Sequence, residues 1–172
     1  MTRRIVVVAL GAALVMLAAI PAIGGGWKIR ASVGSLVIDA EGTGVGAKAG
    51  SATFDLSNVS ANLLVECSNA GGNPAPGVNL ITVVVDPDAE IFPIKGGKVV
   101  ISGDDYVVDD PEVTAAEACT NPNWTARVLD TAWNGFTVTV RDSGNKLLFQ
   151  QDFACVPEFG LAPGTELDCT EV

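Results

Sequence analysis

Phe136-Thr137-Val138-Thr139-Val140-Arg141-Asp142-Ser143-Gly144-Asn145-Lys146-Leu147-Leu148-Phe149 is the stretch that decides the fold class. Apolar and polar residues alternate with period two up to Val140, a Gly-containing polar turn follows, and an apolar run leads out of it, which is the pattern of a β-hairpin. Outward from it, similar short segments lie at Leu36–Glu41, Ser51–Leu56, Ala61–Cys67, Leu80–Val85, Lys98–Ser102, Ala126–Asp130, Gly135–Arg141 and Lys146–Phe153, separated by Gly, Pro, Asn and Asp. Helical periodicity is nearly absent beyond residue 30. The expected architecture is all-β, a disulfide-stapled two-sheet β-sandwich that is immunoglobulin-like in broad outline. Pro111–Ala118 is the exception, with a Pro at a first helical position and good helix formers behind it, and predicts one or two helical turns. Gly42–Gly50 reads as a glycine-rich link and hinge, and Gly71–Gly77 as the longest turn-forming run.

The chain has 172 residues, 48% of them apolar and 17% charged, which suits one domain with a buried core. Ten Lys plus Arg against twenty Asp plus Glu give a net charge of −10. No basic stripe is available to neutralise phosphates, which sets aside nucleic acid and anionic membrane surfaces as partners. There is no histidine, so Ser-His-Asp and Cys-His catalysis and the HExxH zinc sites are absent. No GxSxG occurs, the Gly42–Gly50 run lacks the ending of a phosphate loop, and no pair among the twenty acids is marked out for glycoside hydrolysis. The expectation is a protein that is not an enzyme, with hydrolase the least favoured reading.

Arg3-Arg4 precede nineteen uncharged residues, Ile5–Ile23, and then Gly24-Gly25-Gly26-Trp27-Lys28. This order predicts a secretory signal over 1–22, cut after Ala22. A retained membrane anchor is the competing reading, since nineteen apolar residues just cross a hydrocarbon core of about 30 Å; Pro21 and the glycines favour release. The remaining chain divides into an N-terminal segment 23–34, a β domain 35–155 and a C-terminal extension 156–172. Cleavage leaves eight bases against twenty acids, a net charge of −12. All four cysteines, Cys67, Cys119, Cys155 and Cys169, lie in the exported part, which predicts two disulfides. Of the three connectivities, Cys67–Cys119 with Cys155–Cys169 is favoured, because the second pair closes a short loop containing Pro157, Pro163 and Gly164.

Two segments, Glu66-Cys67-Ser68-Asn69-Ala70-Gly71-Gly72-Asn73-Pro74-Ala75-Pro76-Gly77-Val78-Asn79 and Cys119-Thr120-Asn121-Pro122-Asn123-Trp124-Thr125, resemble a group of secreted bacterial and fungal proteins. That group shares a C-x-N-x-GGN-x-x-PG-x-N stretch and a later C-x-NPNW-T stretch, and has no established activity. The resemblance spans residues 35–155. It implies a small exported β domain in which the cysteine of one motif is bonded to that of the other, and it implies no catalytic residue. The Cys155–Cys169 segment is an addition to the pattern.

Two tryptophans are candidates for a ligand surface. Trp133, in an expected turn over Thr131–Gly135, could stack on a sugar ring or a partner, against the blander reading that it caps the core. Trp124, just after Cys119, reads more readily as packing beside a disulfide. Two acidic runs, Asp86, Asp88 and Glu90, and Asp104, Asp105, Asp109 and Asp110, have the oxygen-rich irregular character that calcium accepts, although neither follows the EF-hand order. Solvated loops are the alternative, and no other cofactor is implied. Asn58-Val59-Ser60 and Asn123-Trp124-Thr125 are N-x-[ST] sequons, relevant only in a glycosylating host. These features predict a secreted or cell-surface interaction module that binds an extracellular protein or glycan without catalysis, touching membrane only through an uncleaved N-terminal segment. The alternative is a self-associating surface subunit that polymerises by strand addition, donating Ser32–Asp39 with Gly42–Gly50 as its hinge.

Overall fold

Along the segment Ala49–Ser68 the buried residues are first even-numbered, Ala52, Phe54 and Leu56, and then odd-numbered, Val59, Ala61, Leu63, Val65 and Cys67. A strand keeps one face inward only while its period of two is unbroken. The switch falls at Asn58, which has φ 51°, a left-handed conformation that Asn tolerates better than most residues. Ser57 pairs with Thr137 and Ser60 with Gly135, so two residues oppose one in a β-bulge. The result is one bent strand of 20 residues where the sequence suggested two shorter ones.

The computed structural model describes residues 26–33, 35–46, 49–102 and 105–172. The proposed signal segment 1–22 and Asp104 therefore lie outside the described residues. The elements are β1 (Trp27–Ser32), β2 (Leu36–Thr43), β3 (Ala49–Ser68), β4 (Asn79–Val85), β5 (Glu90–Lys95), β6 (Lys98–Ile101), β7 (Val107–Val108), α1 (Ala115–Ala118), β8 (Thr125–Asp142), β9 (Leu147–Cys155) and β10 (Cys169–Glu171). The fold is all-β with one helical turn, as the sequence pattern predicts. Its strands belong to one sheet in the order β1-β2-β6-β5-β3-β8-β9-β10, with β4 attached to β3 and β7 to β2. The sheet curls into a nearly closed barrel, and an immunoglobulin-like pair of separate sheets is not evident. β3 and β8 account for the difference: each is long and bulged enough to run through both halves of the molecule.

Closure depends on residues outside the expected 35–155 domain. Val33 N–H donates to the Thr165 carbonyl (2.9 Å), Gly164 N–H to the Val33 carbonyl (2.7 Å) and Leu167 N–H to the Ala31 carbonyl (2.8 Å). A few residues on, β10 pairs with β9. The C-terminal segment is thus the stave between β1 and β9. Residues 27–33 and 156–172 belong to the barrel and are not appendages. Trp27 closes the other end of the same seam by stacking on Phe149 at 5.0 Å, and its ring lies where a Cβ at Gly42 would have to be.

Local chemistry explains the turns. Asp142 Oδ1 accepts from the N–H groups of Gly144 and Lys146, both at 2.9 Å, and sets the β8–β9 hairpin. Gly96 and Gly97, with φ 60° and 76°, form the two-residue turn between β5 and β6. In the expected Pro111–Ala118 helix only α1 is helical, and the Glu117 carboxylate reaches back to the Thr114 N–H and hydroxyl at 2.8 and 2.7 Å. The expected Gly42–Gly50 link is shorter than it reads, because Gly42 and Thr43 end β2, Ala49 begins β3, and Val45 is buried.

The bulge at Asn58 gives a direct test. Asn58→Val forces a β-branched residue into the left-handed region and removes the Nδ2 bond to Thr137 Oγ1 (3.2 Å), and is expected to cost about 2 kcal/mol in urea unfolding. Asn58→Gly keeps the conformation and should cost under about 1 kcal/mol. Equal losses would mean that the bulge conformation contributes nothing.

Candidate functional site

The two quoted motifs meet around one disulfide. Cys67 is bonded to Cys119, and Cys155 to Cys169. After Cys67, Asn69 Oδ1 accepts from the N–H groups of Gly71 (2.9 Å) and Asn73 (3.1 Å), folding the loop on itself. Ala75 N–H returns to the Cys67 carbonyl at 2.7 Å. Asn79 Nδ2 then donates to the Ala118 carbonyl at 2.8 Å, tying the start of β4 to the end of α1 beside Cys119. In the second motif Asn121 Oδ1 accepts from Asn123 N–H (3.0 Å) and the Asn121 carbonyl from Trp124 N–H (3.1 Å), which delivers Thr125 into β8. Each polar residue of these motifs that makes such a bond organises backbone.

Trp133 is not in a turn. It lies within β8 and is fully buried, so it offers no stacking surface. A second bulge places it there: Ser60 pairs with Gly135 and Ala61 with Trp133, leaving Asn134 as the extra residue. Gly135 is required next to it, since a Cβ there would collide with the Phe153 carbonyl oxygen. Trp124 is half-buried in the bend before β8.

The acidic candidates sit in different settings. Asp86, Asp88 and Glu90 are exposed along the connection from β4 to β5. Asp105 accepts from Ser102 N–H at 3.2 Å. Asp110 faces a cleft of about 270 Å³ together with Asp130, Thr131, Val33, Val128 and Leu161. Asp130 was not foreseen; its carboxylate accepts from Gly160 N–H (2.6 Å) and Thr131 N–H (2.9 Å), a structural duty. Burial holds the Asp110 carboxyl above its ordinary range, with Asp109 and Asp130 adding to the rise and a hydrogen bond with Thr131 opposing it. Among the described residues no group of three or more His, Cys, Asp or Glu is arranged to hold a metal ion.

Tyr106, the only tyrosine in the chain, links the two acidic connections. Its ring packs edge-on to Phe54 at 5.1 Å, and its hydroxyl donates to the Asp88 carbonyl at 3.1 Å. Burial is the main reason its pKa is pushed up to about 12; the Asp55, Glu90 and Asp88 carboxylates add to this, against the Leu56 backbone amide.

Exposed apolar side chains also occur on β4, Asn79-Leu80-Ile81-Thr82-Val83-Val84-Val85. It pairs through Val59–Val65 with β3, and no strand pairs with its other edge among the described residues. The reason lies in the chain path. β6 accompanies β5 only as far as Ile101; beyond Ser102 the chain turns to Tyr106, whose carbonyl accepts from Ile38 N–H (3.1 Å) on β2. Ile81, Val83 and Val85 pack against the core, while Leu80 and Val84 are 62% and 64% exposed. Between them Thr82 donates to Asn62 Oδ1 at 2.8 Å, which also accepts from Asn134 Nδ2 at 3.1 Å. The sequence placed this strand over Leu80–Val85 but gave no sign that it forms an edge.

Ser32–Asp39, the expected donor strand, is engaged within its own domain: β2 is paired with β1 on one side and with β6 and β7 on the other, and Leu36 and Ile38 are completely buried. Comparison with protein-family models, curated proteins and solved structures finds no match for this chain.

Two titrations test these environments. The native protein should show no phenolate absorbance until the pH approaches 12, whereas the unfolded chain titrates near 10; because the folded pKa is the higher, stability should fall between those values. A native midpoint near 10 would contradict a buried Tyr106. Asp110 also has its pKa raised by folding, so its ionised form opposes folding above that pKa. Asp110→Asn should raise the melting temperature slightly at pH 7, with the difference vanishing near pH 3; a lowered melting temperature at pH 7 would count against this environment.

Proposed function

We propose that the protein is an exported, non-catalytic interaction module whose binding element is the free edge of β4. The observation that carries the reading is that edge itself: seven residues with neither a charge nor a proline, five of them (Ile81, Thr82, Val83, Val84 and Val85) of high β propensity, and with Leu80 and Val84 turned to solvent. Soluble proteins commonly protect such edges with charges, prolines, bulges or a covering segment. β8, whose residues 125–134 face no strand among the described residues on the side away from β3, carries Arg127 and Asp130 there and has the Gly160 segment bonded beside it. β4 has none of these defences among the described residues. An edge of this kind accepts an extended strand, with main-chain hydrogen bonds supplying affinity and Leu80 and Val84 selecting apolar side chains.

Export is supported by the Arg3-Arg4 and Ile5–Ile23 order at the N-terminus and by two disulfides, which persist in oxidising compartments. The strand-addition alternative retains its chemistry in this reading but changes its location, from Ser32–Asp39 to β4.

A peptide spanning residues 78–86 serves as a model strand. Titrated into isotope-labelled protein, it should shift amide resonances of β4 and the adjoining β3 residues and slow hydrogen exchange along β4. The same peptide with Pro in place of Thr82 should do neither. Perturbation absent at millimolar peptide, or concentrated on the Asp110 cleft, would overturn the edge reading.

A further inference from the structure

The side chains of β4 are symmetric in character about Thr82. Outward-facing Leu80 and Val84 lie two residues to either side of it, and inward-packed Ile81 and Val83 lie one residue away. A two-fold axis through Thr82 would set two copies antiparallel, with Leu80 of each opposite Val84 of the other and Thr82 opposite itself. Those are favourable cross-strand pairs, and a closed isologous contact needs such self-complementarity. We propose that the occupant of the β4 edge is a second copy of this chain, joining two β4–β3–β8 sheets into one continuous six-stranded sheet.

Charge selects the antiparallel arrangement. Asp86 directly follows β4, with Asp88 and Glu90 behind it. Parallel pairing in register would bring these acids together across the contact. Antiparallel pairing about Thr82 places Asp86 opposite Val78 of the other copy and leaves the two Asp86 residues eight positions apart. That is about 27 Å at strand rise, well beyond the screening length of about 8 Å at physiological ionic strength. No group on β4 calls for a charged partner, and the uncharged apolar strand that complements it is β4 itself.

The contact runs along one seven-residue strand of each copy, narrow for a stable interface, which needs roughly 1,000 Å², and each copy is strongly acidic. The dimer is therefore weak and reversible, and it tightens as salt screens the repulsion between copies. A cationic ligand strand would have the opposite salt dependence.

This inference rests on the β4-edge reading, and the experiment separates the two. Sedimentation of the secreted protein from 1 µM to 1 mM, at 50 mM and 500 mM NaCl, should show a monomer–dimer equilibrium that is several-fold tighter at high salt. Leu80→Lys with Val84→Lys alters only solvent-facing side chains and should leave a folded monomer. Thr82→Cys should yield a disulfide-linked dimer under mild oxidation, whereas Val84→Cys, whose two copies would lie four positions apart, should not. Monomer throughout, a dimer that survives the double lysine variant, or equal cross-linking at positions 82 and 84 would overturn the proposal. If the 78–86 peptide binds β4 while the protein stays monomeric, the edge reading stands and self-pairing fails.

Discussion

The architecture depends on keeping one face of two very long strands turned inward while they bend. A strand of 20 residues with unbroken alternation would twist away from the core it started on or would project from the molecule. The bulges at Asn58 and Asn134 reset the alternation where β3 and β8 change direction. Phe54 and Leu56 before the bend and Val59 and Leu63 beyond it thus enter one continuous core with Trp133 and Phe136. The Asn58–Thr137–Asp152 hydrogen bonds, at 3.2 and 2.7 Å, hold the outer side of that bend. The other strands are arranged around this pair.

The free edge of β4 follows from the same bend. β4 and β5 both lie along one side of β3, on opposite sides of the bulge, and Asp86–Ala89 bridges the gap between them. The barrel needs a neighbour only for β5, which β6 supplies. β4 contributes Ile81, Val83 and Val85 to the core while its far edge stays open. An open strand edge thereby arises from ordinary barrel construction.

Much of the fold was legible in local pattern. The Phe136–Phe149 hairpin, most strand positions, the helical turn near Ala118 and the absence of longer helices among the described residues follow from period and turn chemistry alone. The structure contains the same two cysteine pairs that chain spacing favoured. What escaped was information carried between segments. A parity change inside a strand looks, in sequence, like two strands with a turn between them. Trp133 therefore read as a turn residue, either capping the core or open to a ligand, and the separate sheets of a sandwich read as the natural assembly. β1, β5 and the C-terminal stave were missed for related reasons: each is short, and each is specified by the backbone it meets. The β4 edge was illegible because exposure on one side of a strand depends on where β6 ends.

The stave between β1 and β9 is drawn from residues 164–171, while its partner β1 begins at Trp27. The seam therefore joins two segments separated by nearly the whole domain, and it can close only after all the intervening strands have emerged. Until then the Ala31 carbonyl lacks the Leu167 N–H that it meets in the finished barrel, and Val33 lacks its bonds to Gly164 and Thr165. The Cys67–Cys119 bond, by contrast, can form before that last segment arrives. Maturation is thus ordered by topology: one disulfide secures the interior of the domain early, and the other locks a door that is the last part of the barrel to be hung.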